Sequence, residues 1–244
     1  MILRRLTEHV RTQNWFAVTL DFLIVVLGVF IGLQVQEWSS ARAERARVTA
    51  QLSSVYTELV LSRDYINERI EYYSDRVDDA KELRLQLALE TSELTEDEFN
   101  RLAFSTLRSG SLDIPYSSFD ELSASGAMSL IDDSELRSLL LRWDNLLARI
   151  HSSDESVEQF RAVAVVPVFN EAFVLGNGFR TDERFPDFTY TDRFAFDLDK
   201  IRMNVGLDNA IAIRQATAQQ QLNFVHELSA ITEELITALE SATQ

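Results

Sequence analysis

The sequence predicts an all-α protein, in which one N-terminal transmembrane helix continues into a long stalk helix and an elongated antiparallel helical bundle. Three observations point there. Glycine (7) and proline (3) are scarce in 244 residues, while Leu, Ala, Glu, Gln and Arg, all strong helix formers, are plentiful. Apolar residues recur at steps of three and four over most of the chain after Trp38, which is helical periodicity. A stretch near the N-terminus is apolar for about the twenty residues that a membrane span requires. The expected organisation is a short basic N-terminal segment (1–14), a transmembrane helix (15–38) and an acidic helical-bundle domain (39–244).

From Trp15 to Val35 the chain reads WFAVTLDFLIVVLGVFIGLQV, with Asp21 and Gln34 its only strongly polar members. At about 1.5 Å per residue it spans roughly 30 Å of hydrocarbon. Trp15 and Trp38 bracket it as interfacial anchors. The competing reading is a cleaved signal peptide, but Gln-Val-Gln-Glu-Trp follows the apolar run where small residues would mark a cleavage site. Helical geometry places Gly28 and Gly32 within about 20° of Asp21, one on either side. Asp21, Gly28 and Gly32 thus share a stripe that predicts a contact face for another span, the two glycines letting a second helix approach closely. Arg4, Arg5 and Arg11 before the span nearly balance Arg42, Arg45 and Arg47 after it. Long domains translocate largely regardless of charge, so the expected orientation is N-terminus inside and domain outside the cytoplasm. No second apolar stretch follows, which leaves the end of the chain on the domain's side.

Between Ala41 and Glu90 there is neither Gly nor Pro, and Val48, Leu52, Val55, Leu59, Ile66, Ile70, Tyr73, Val77, Ala80 and Leu87 form an apolar stripe. This predicts a continuous stalk helix of coiled-coil character, its seven-residue pattern widened between Ser62 and Ile70. Thr95 with Glu98 reads as a capping box for a helix carrying Phe99, Leu102, Ala103 and Leu107 and ending near Ser109-Gly110. A short helix around Phe119 and Leu122 is expected to stop at Gly126. Asp132 with Glu135 reads as the cap of the main core helix, on which Leu136, Leu139, Leu140, Trp143, Leu146, Leu147, Ile150, Val157, Phe160 and Ala164 line one broad face. Pro167 should kink or end that helix. Gly176-Asn177-Gly178 is a turn, and residues 179–198 form an aromatic-rich irregular segment with at most a short strand near Phe188 to Phe196. Its Phe179, Phe185, Phe188, Tyr190, Phe194 and Phe196 alternate with aspartates, as a packed cap on the bundle or a partner surface would. A last helix follows with Leu222, Val225, Leu228, Ile231, Leu235 and Leu239 on its apolar side.

The formal net charge is −16. Arg4, Arg5 and Arg11 cancel Glu8, Asp21 and Glu37 up to Trp38, so the imbalance belongs wholly to the domain. Such a surface repels phosphate backbones, and nucleic acid is not an expected partner. Lys81 and Lys200 are the only lysines; codon bias explains the preference for arginine more simply than carboxylate pairing does. The absence of cysteine removes disulfides, thiolate catalysis and cysteine-based metal sites. His9, His151 and His226 stand apart without ligand spacing and read as surface or capping residues. Acidic pairs such as Asp78-Asp79 and Asp132-Asp133 lack calcium-loop spacing, and the serines at Ser117, Ser118, Ser123 and Ser125 form no nucleophile elbow. The expectation is a protein that is not an enzyme and carries no cofactor or metal.

The block Leu27-Gly28-Val29-Phe30-Ile31-Gly32-Leu33-Gln34-Val35-Gln36-Glu37-Trp38, together with Ser118-Phe119-Asp120-Glu121-Leu122-Ser123-Ala124-Ser125-Gly126-Ala127-Met128-Ser129-Leu130-Ile131 and the following Leu136-Arg137, resembles the two recurring blocks of a bacterial family known as a domain of unknown function, whose members are N-terminally membrane-anchored helical proteins. The resemblance implies the architecture and transfers no activity or site residue. The function expected is therefore that of a structural or accessory membrane subunit, a homo-oligomer or part of a membrane-protein complex. The alternative is a sensory, ligand-binding helical domain that signals through a partner.

Overall fold

In the computed structural model of the chain, residues 15–173, 175 and 196–243 are described. All regular structure among them is helical. The chain divides into two compact units between Gln51 and Leu52, and helix α1 (Trp15–Ala88) runs from the first into the second.

In the first unit α1 is apolar on every side from Phe22 to Leu33. An 18-residue window reaches a mean hydropathy of 2.3, and none of it is buried by the rest of the chain. This helix is long and apolar enough to cross a membrane. Phe22, Leu23, Ile24, Val25, Val29, Phe30, Ile31 and Leu33 are all exposed.

The second unit begins on the same helix, where the pattern narrows to a stripe. Leu52, Val55, Leu59, Ile66, Tyr73, Val77 and Ala80 are buried as the periodicity requires, joined by Leu83, while Ile70 and Leu87 are only half-buried. Helix α2 (Glu96–Leu107) starts on the expected capping box: the Thr95 hydroxyl accepts from the Glu98 amide at 3.3 Å, and the Thr95 amide donates to the Glu98 carboxylate at 2.7 Å. These bonds satisfy donors that a helix start leaves without intrahelical partners. Helix α3 (Ser117–Ala124) stops before Gly126, whose φ of 75° is open to glycine at little cost. A short 3-10 turn (Ala127–Leu130) follows.

Helix α4 (Ser134–Phe160) is capped by Asp133, not by Asp132. The Asp133 carboxylate accepts from the amides of Glu135 at 2.8 Å and Leu136 at 3.2 Å. Both aspartates precede the helix, and only the later one stands two and three residues before the free amides a cap must reach. The broad apolar face is buried at Leu136, Leu140, Trp143, Leu146, Leu147 and Ile150, with Leu139 and Val157 half-buried. It does not continue to Phe160 and Ala164, which are exposed. A π turn (Arg161–Val165) intervenes, in which the Val166 amide bonds back to the Arg161 carbonyl, five residues earlier. The wide turn takes up one extra residue, so Val165 and Phe169 face the core in place of Ala164. Pro167 then falls in the first turn of α5 (Val166–Ala172), and the helix persists to Ala172 instead of ending at the proline.

The turn at Gly176-Asn177-Gly178 and most of the aromatic segment, including Phe179, Phe185, Phe188, Tyr190 and Phe194, lie outside the described residues. At its far edge the irregular segment is shorter than expected. Asp197 caps α6 (Leu198–Arg202), accepting from the Lys200 amide at 3.0 Å. The last helix, α7 (Val205–Thr243), buries Leu207, Ile211, Val225, Leu228, Ile231, Leu235 and Leu239 and half-buries Leu222.

Side-chain pairs fix how the helices of this unit lie. Tyr56, Arg63 and Arg84 of α1 reach Glu240, Glu233 and Asp208 of α7, at 2.9, 4.0 and 3.2 Å. Arg142, Trp143 and Arg149 of α4 reach Glu234, Thr232 and Glu227. In these pairs the sequence numbers rise along α1 and α4 as they fall along α7. One apolar core holds Ala80, Leu83, Phe99, Leu102, Phe169, Leu207 and Ile211. Another stretch of buried side chains includes Val55, Leu59, Leu140, Leu147, Ile231 and Leu235. There Trp143 donates its indole N–H to Thr232 at 3.1 Å and packs its ring 5.4 Å from Phe119.

Candidate functional site

The span face expected from the sequence lies in the first unit. Asp21 is exposed, and nothing in the chain comes within 4 Å of where a Cβ at Gly28 or Gly32 would sit. The three residues occupy one uninterrupted helix, so the stripe exists as helical geometry dictates. Trp15 opens that helix, and Trp38 is exposed with the Arg42 guanidinium 5.7 Å from its ring centroid. Of the proposed aromatic partner surface, Phe196 is described; it is half-buried and packs 5.7 Å from Phe99 beside the apolar core.

The second unit holds a site that no sequence motif marks. Charged and polar side chains gather beside the buried faces at residues 65–79 of α1, 151–161 of α4 and its π turn, and 214–221 of α7. Tyr65, Arg69, Tyr72 and Arg76 succeed one another at steps of four, three and four, so they line one side of α1 next to the apolar stripe. The Tyr72 ring lies 4.7 Å from the Arg69 guanidinium, 4.9 Å from that of Arg76 and 5.7 Å from that of Arg108. Arg69 also stands 5.2 Å from the Tyr65 ring. A tyrosine face attracts a cation, but three guanidiniums on one ring also repel each other.

Arg161, at the start of the π turn, pairs with Glu158. That partner draws the Glu158 carboxyl down to about 2, chiefly through the hydrogen bonds from Arg161, with burial opposing. Arg214 of α7 is almost wholly buried and donates to the carbonyls of Thr106 at 3.2 Å and Arg108 at 2.7 Å. It thereby satisfies acceptors at the end of α2, as a cation at a helix C-terminus does. Burial, with the nearby charge of Arg161 adding to it, lowers the Arg214 guanidinium to about 10. Arg76 meets Asp79 at 3.7 Å, and Asp79 also accepts from Ser105 and faces Arg101 at 3.8 Å.

The segment Ser109–Asp113 crosses this layer and is held from both sides. Tyr73 of α1 donates to the Gly110 carbonyl at 2.7 Å, and burial raises its phenol above the ordinary value. From α4, Asp154 accepts from the Leu112 amide at 3.1 Å while His151 Nε2 lies 3.0 Å from the Leu112 carbonyl. Gln221 of α7 donates to the other oxygen of Asp154 at 2.8 Å. Burial is the main cause that raises the Asp154 carboxyl, and the two bonds from Gln221 and Leu112 act against it. Beside the segment opens a cleft of about 680 Å³, lined by Ser109, Gly110, Asp113, Asp154, Glu158 and Gln221 among others. His151 is thus a clamp on a connecting segment, and His226 is exposed.

Among the described residues, no cluster of three or more His, Asp or Glu side chains is arranged to hold a metal ion. One signal in the sequence points to the arginine layer: the Tyr-Arg-Tyr-Arg spacing on α1. No protein-family model, curated protein or solved structure matches this chain.

Proposed function

We propose that the chain is a single-pass membrane protein of the bacterial inner membrane, with its helical domain in the periplasm as a structural or accessory subunit. The exposed apolar surface of α1 carries this reading. The side chains of Phe22 to Leu33 have no cover within the chain, and burying one such side chain fully is worth about 1.5–3 kcal/mol. Left in water, the helix would forfeit tens of kcal/mol in total, and a bilayer core supplies the missing cover. The domain is read as an elongated antiparallel bundle that assembles with a second copy or with another membrane protein. The stripe of Asp21, Gly28 and Gly32 is the contact in the membrane, since two glycines four apart admit a close helix neighbour.

Alkaline extraction of membranes from cells making the full chain tests the anchor: the protein should stay with the pellet, and release into the supernatant would overturn the reading. A reporter fused after Gln244 should be active only outside the cytoplasm. Gly28→Leu combined with Gly32→Leu should abolish crosslinked assemblies while leaving the unfolding of the domain unchanged. Unchanged crosslinking would reduce the stripe to ordinary span composition.

A second reading, a ligand-binding domain that signals through a partner, draws on the cleft beside Ser109–Asp113 and on the cationic layer behind it. A small molecule co-purifying with the domain would favour it over the accessory role.

A further inference from the structure

The arginine layer of the second unit gathers more positive charge than its neighbours neutralise. Arg69, Arg76, Arg161 and Arg214 converge from three helical segments, and the carboxylates paired with them are Asp79 and Glu158. Arg69 has no carboxylate partner among the described residues, only the rings of Tyr65 and Tyr72. Asp154, the next acid, already accepts from Gln221 and the Leu112 amide. Arg69 Nε, and Arg76 Nε and Nη1, are buried without any hydrogen-bond acceptor. A buried donor left unpaired costs about 1–3 kcal/mol, more on a charged group, so a protein keeps several together only where something else accepts from them.

We propose that this layer is a binding site for a phosphate-type oxyanion. Guanidiniums present paired, planar donors that match such a group, and an anion set between Arg69 and Arg76 would accept from their orphaned nitrogens. Gly110, which lines the cleft together with Asp113, Asp154, Glu155 and Glu158, also lies directly on the arginines: a Cβ there would come 3.2 Å from Arg69 Nη1 and 3.3 Å from the Tyr72 ring. The segment is held at Gly110 and Leu112 by Tyr73, Asp154 and His151.

The site rests on the second unit alone and holds whether or not α1 crosses a membrane. The full chain in detergent is titrated calorimetrically with inorganic phosphate, at ionic strength held constant with chloride. A parallel arm uses micelles carrying an anionic phospholipid, which separates a free oxyanion from a lipid headgroup as its source. Binding in either arm should weaken at least tenfold in Arg69→Gln and stay unchanged in Arg142→Gln, whose guanidinium pairs with Glu234 outside the layer. Phosphate should also slow phenylglyoxal modification of Arg69 but not of Arg142, read by peptide mass in the unsubstituted protein, so that a misfolded variant does not leave the question open. Absence of binding in both arms, or equal loss in the two variants, or equal protection of the two arginines, would overturn the proposal.

Discussion

Helix α1 meets two different fates along its length. From Phe22 to Leu33 its apolar side chains point in every direction and the chain covers none of them; after Leu52 they are confined to a stripe that the other helices bury. Backbone and hydrogen-bond pattern are the same in both stretches, so the difference lies in the angular spread of hydrophobicity. A helix apolar on one side is satisfied by its own chain, and a helix apolar all round needs an external apolar medium. The comparison makes the two stretches separable by experiment: substitutions in the second should move the stability of the domain, and substitutions in the first should move only extraction and assembly.

The largest effect is expected in the packed stretch. Trp143→Ala removes a side chain that is 1% exposed and leaves Thr232 without its donor, at a cost of about 3–5 kcal/mol. Arg142→Ala on the neighbouring exposed position should cost under about 1 kcal/mol. Denaturant unfolding followed by circular dichroism separates the two, and similar midpoints would mean that the face is misassigned.

Next comes the polar layer. Arg214→Met should destabilise the domain by about 1–3 kcal/mol, because the Thr106 and Arg108 carbonyls lose their donor in a buried setting. A neutral result in the same unfolding assay would show that the layer contributes nothing at its most buried point. Thr95→Ala should cost about 1 kcal/mol through loss of the capping box, and Thr95→Ser should restore most of it.

The smallest effect concerns pH. Glu158 is held well below its unfolded value, so it adds stability above about pH 4.5, and that contribution disappears as pH falls through about 2. Its half-exposed position limits the size. Asp154 acts with the opposite sign, since a raised carboxyl favours the folded state as it takes up its proton. Glu158→Gln should therefore remove part of the loss of stability on acidification, and Asp154→Asn should steepen it. If both variants give the acid-unfolding profile of the unsubstituted protein, the two carboxylates do not contribute as their partners imply.

Local patterns carried most of the fold. The capping box at Thr95 and Glu98, the stop at Gly126, the buried stripe on α1 and the apolar side of α7 were all legible, because each depends on residues within a turn or two of one another. Local pattern does not decide where one residue selects between equivalent choices or where the helix itself changes pitch. Asp132 and Asp133 are equally good caps in composition, and only the position of the first helical turn selects Asp133. The face through Ile150 was extended to Phe160 and Ala164 on a constant period of 3.6, which the π turn at Arg161–Val165 breaks. Nothing in RAVAV announces that turn, since its cause is the fit of Val165 and Phe169 into the core rather than a propensity of its own.

The candidate sites divide in the same way. The stripe of Asp21, Gly28 and Gly32 followed from sequence spacing alone, since three residues on one helix share a face wherever that helix goes. Arg69, Arg76, Arg108, Arg161 and Arg214 are up to 145 positions apart by number, from 69 to 214, and in the sequence they are five among many arginines. Their meeting around Tyr72 required α1, α4 and α7 to be aligned in a definite register, and that register is set by the burial of Trp143, Leu140, Ile231 and their neighbours. The sequence by itself determined helical content, the apolar span and the faces each helix must bury, because those are local properties of spacing and composition. Only the tertiary structure decided which charged residues are brought together, because long-range packing fixes which turns of separate helices lie at the same level.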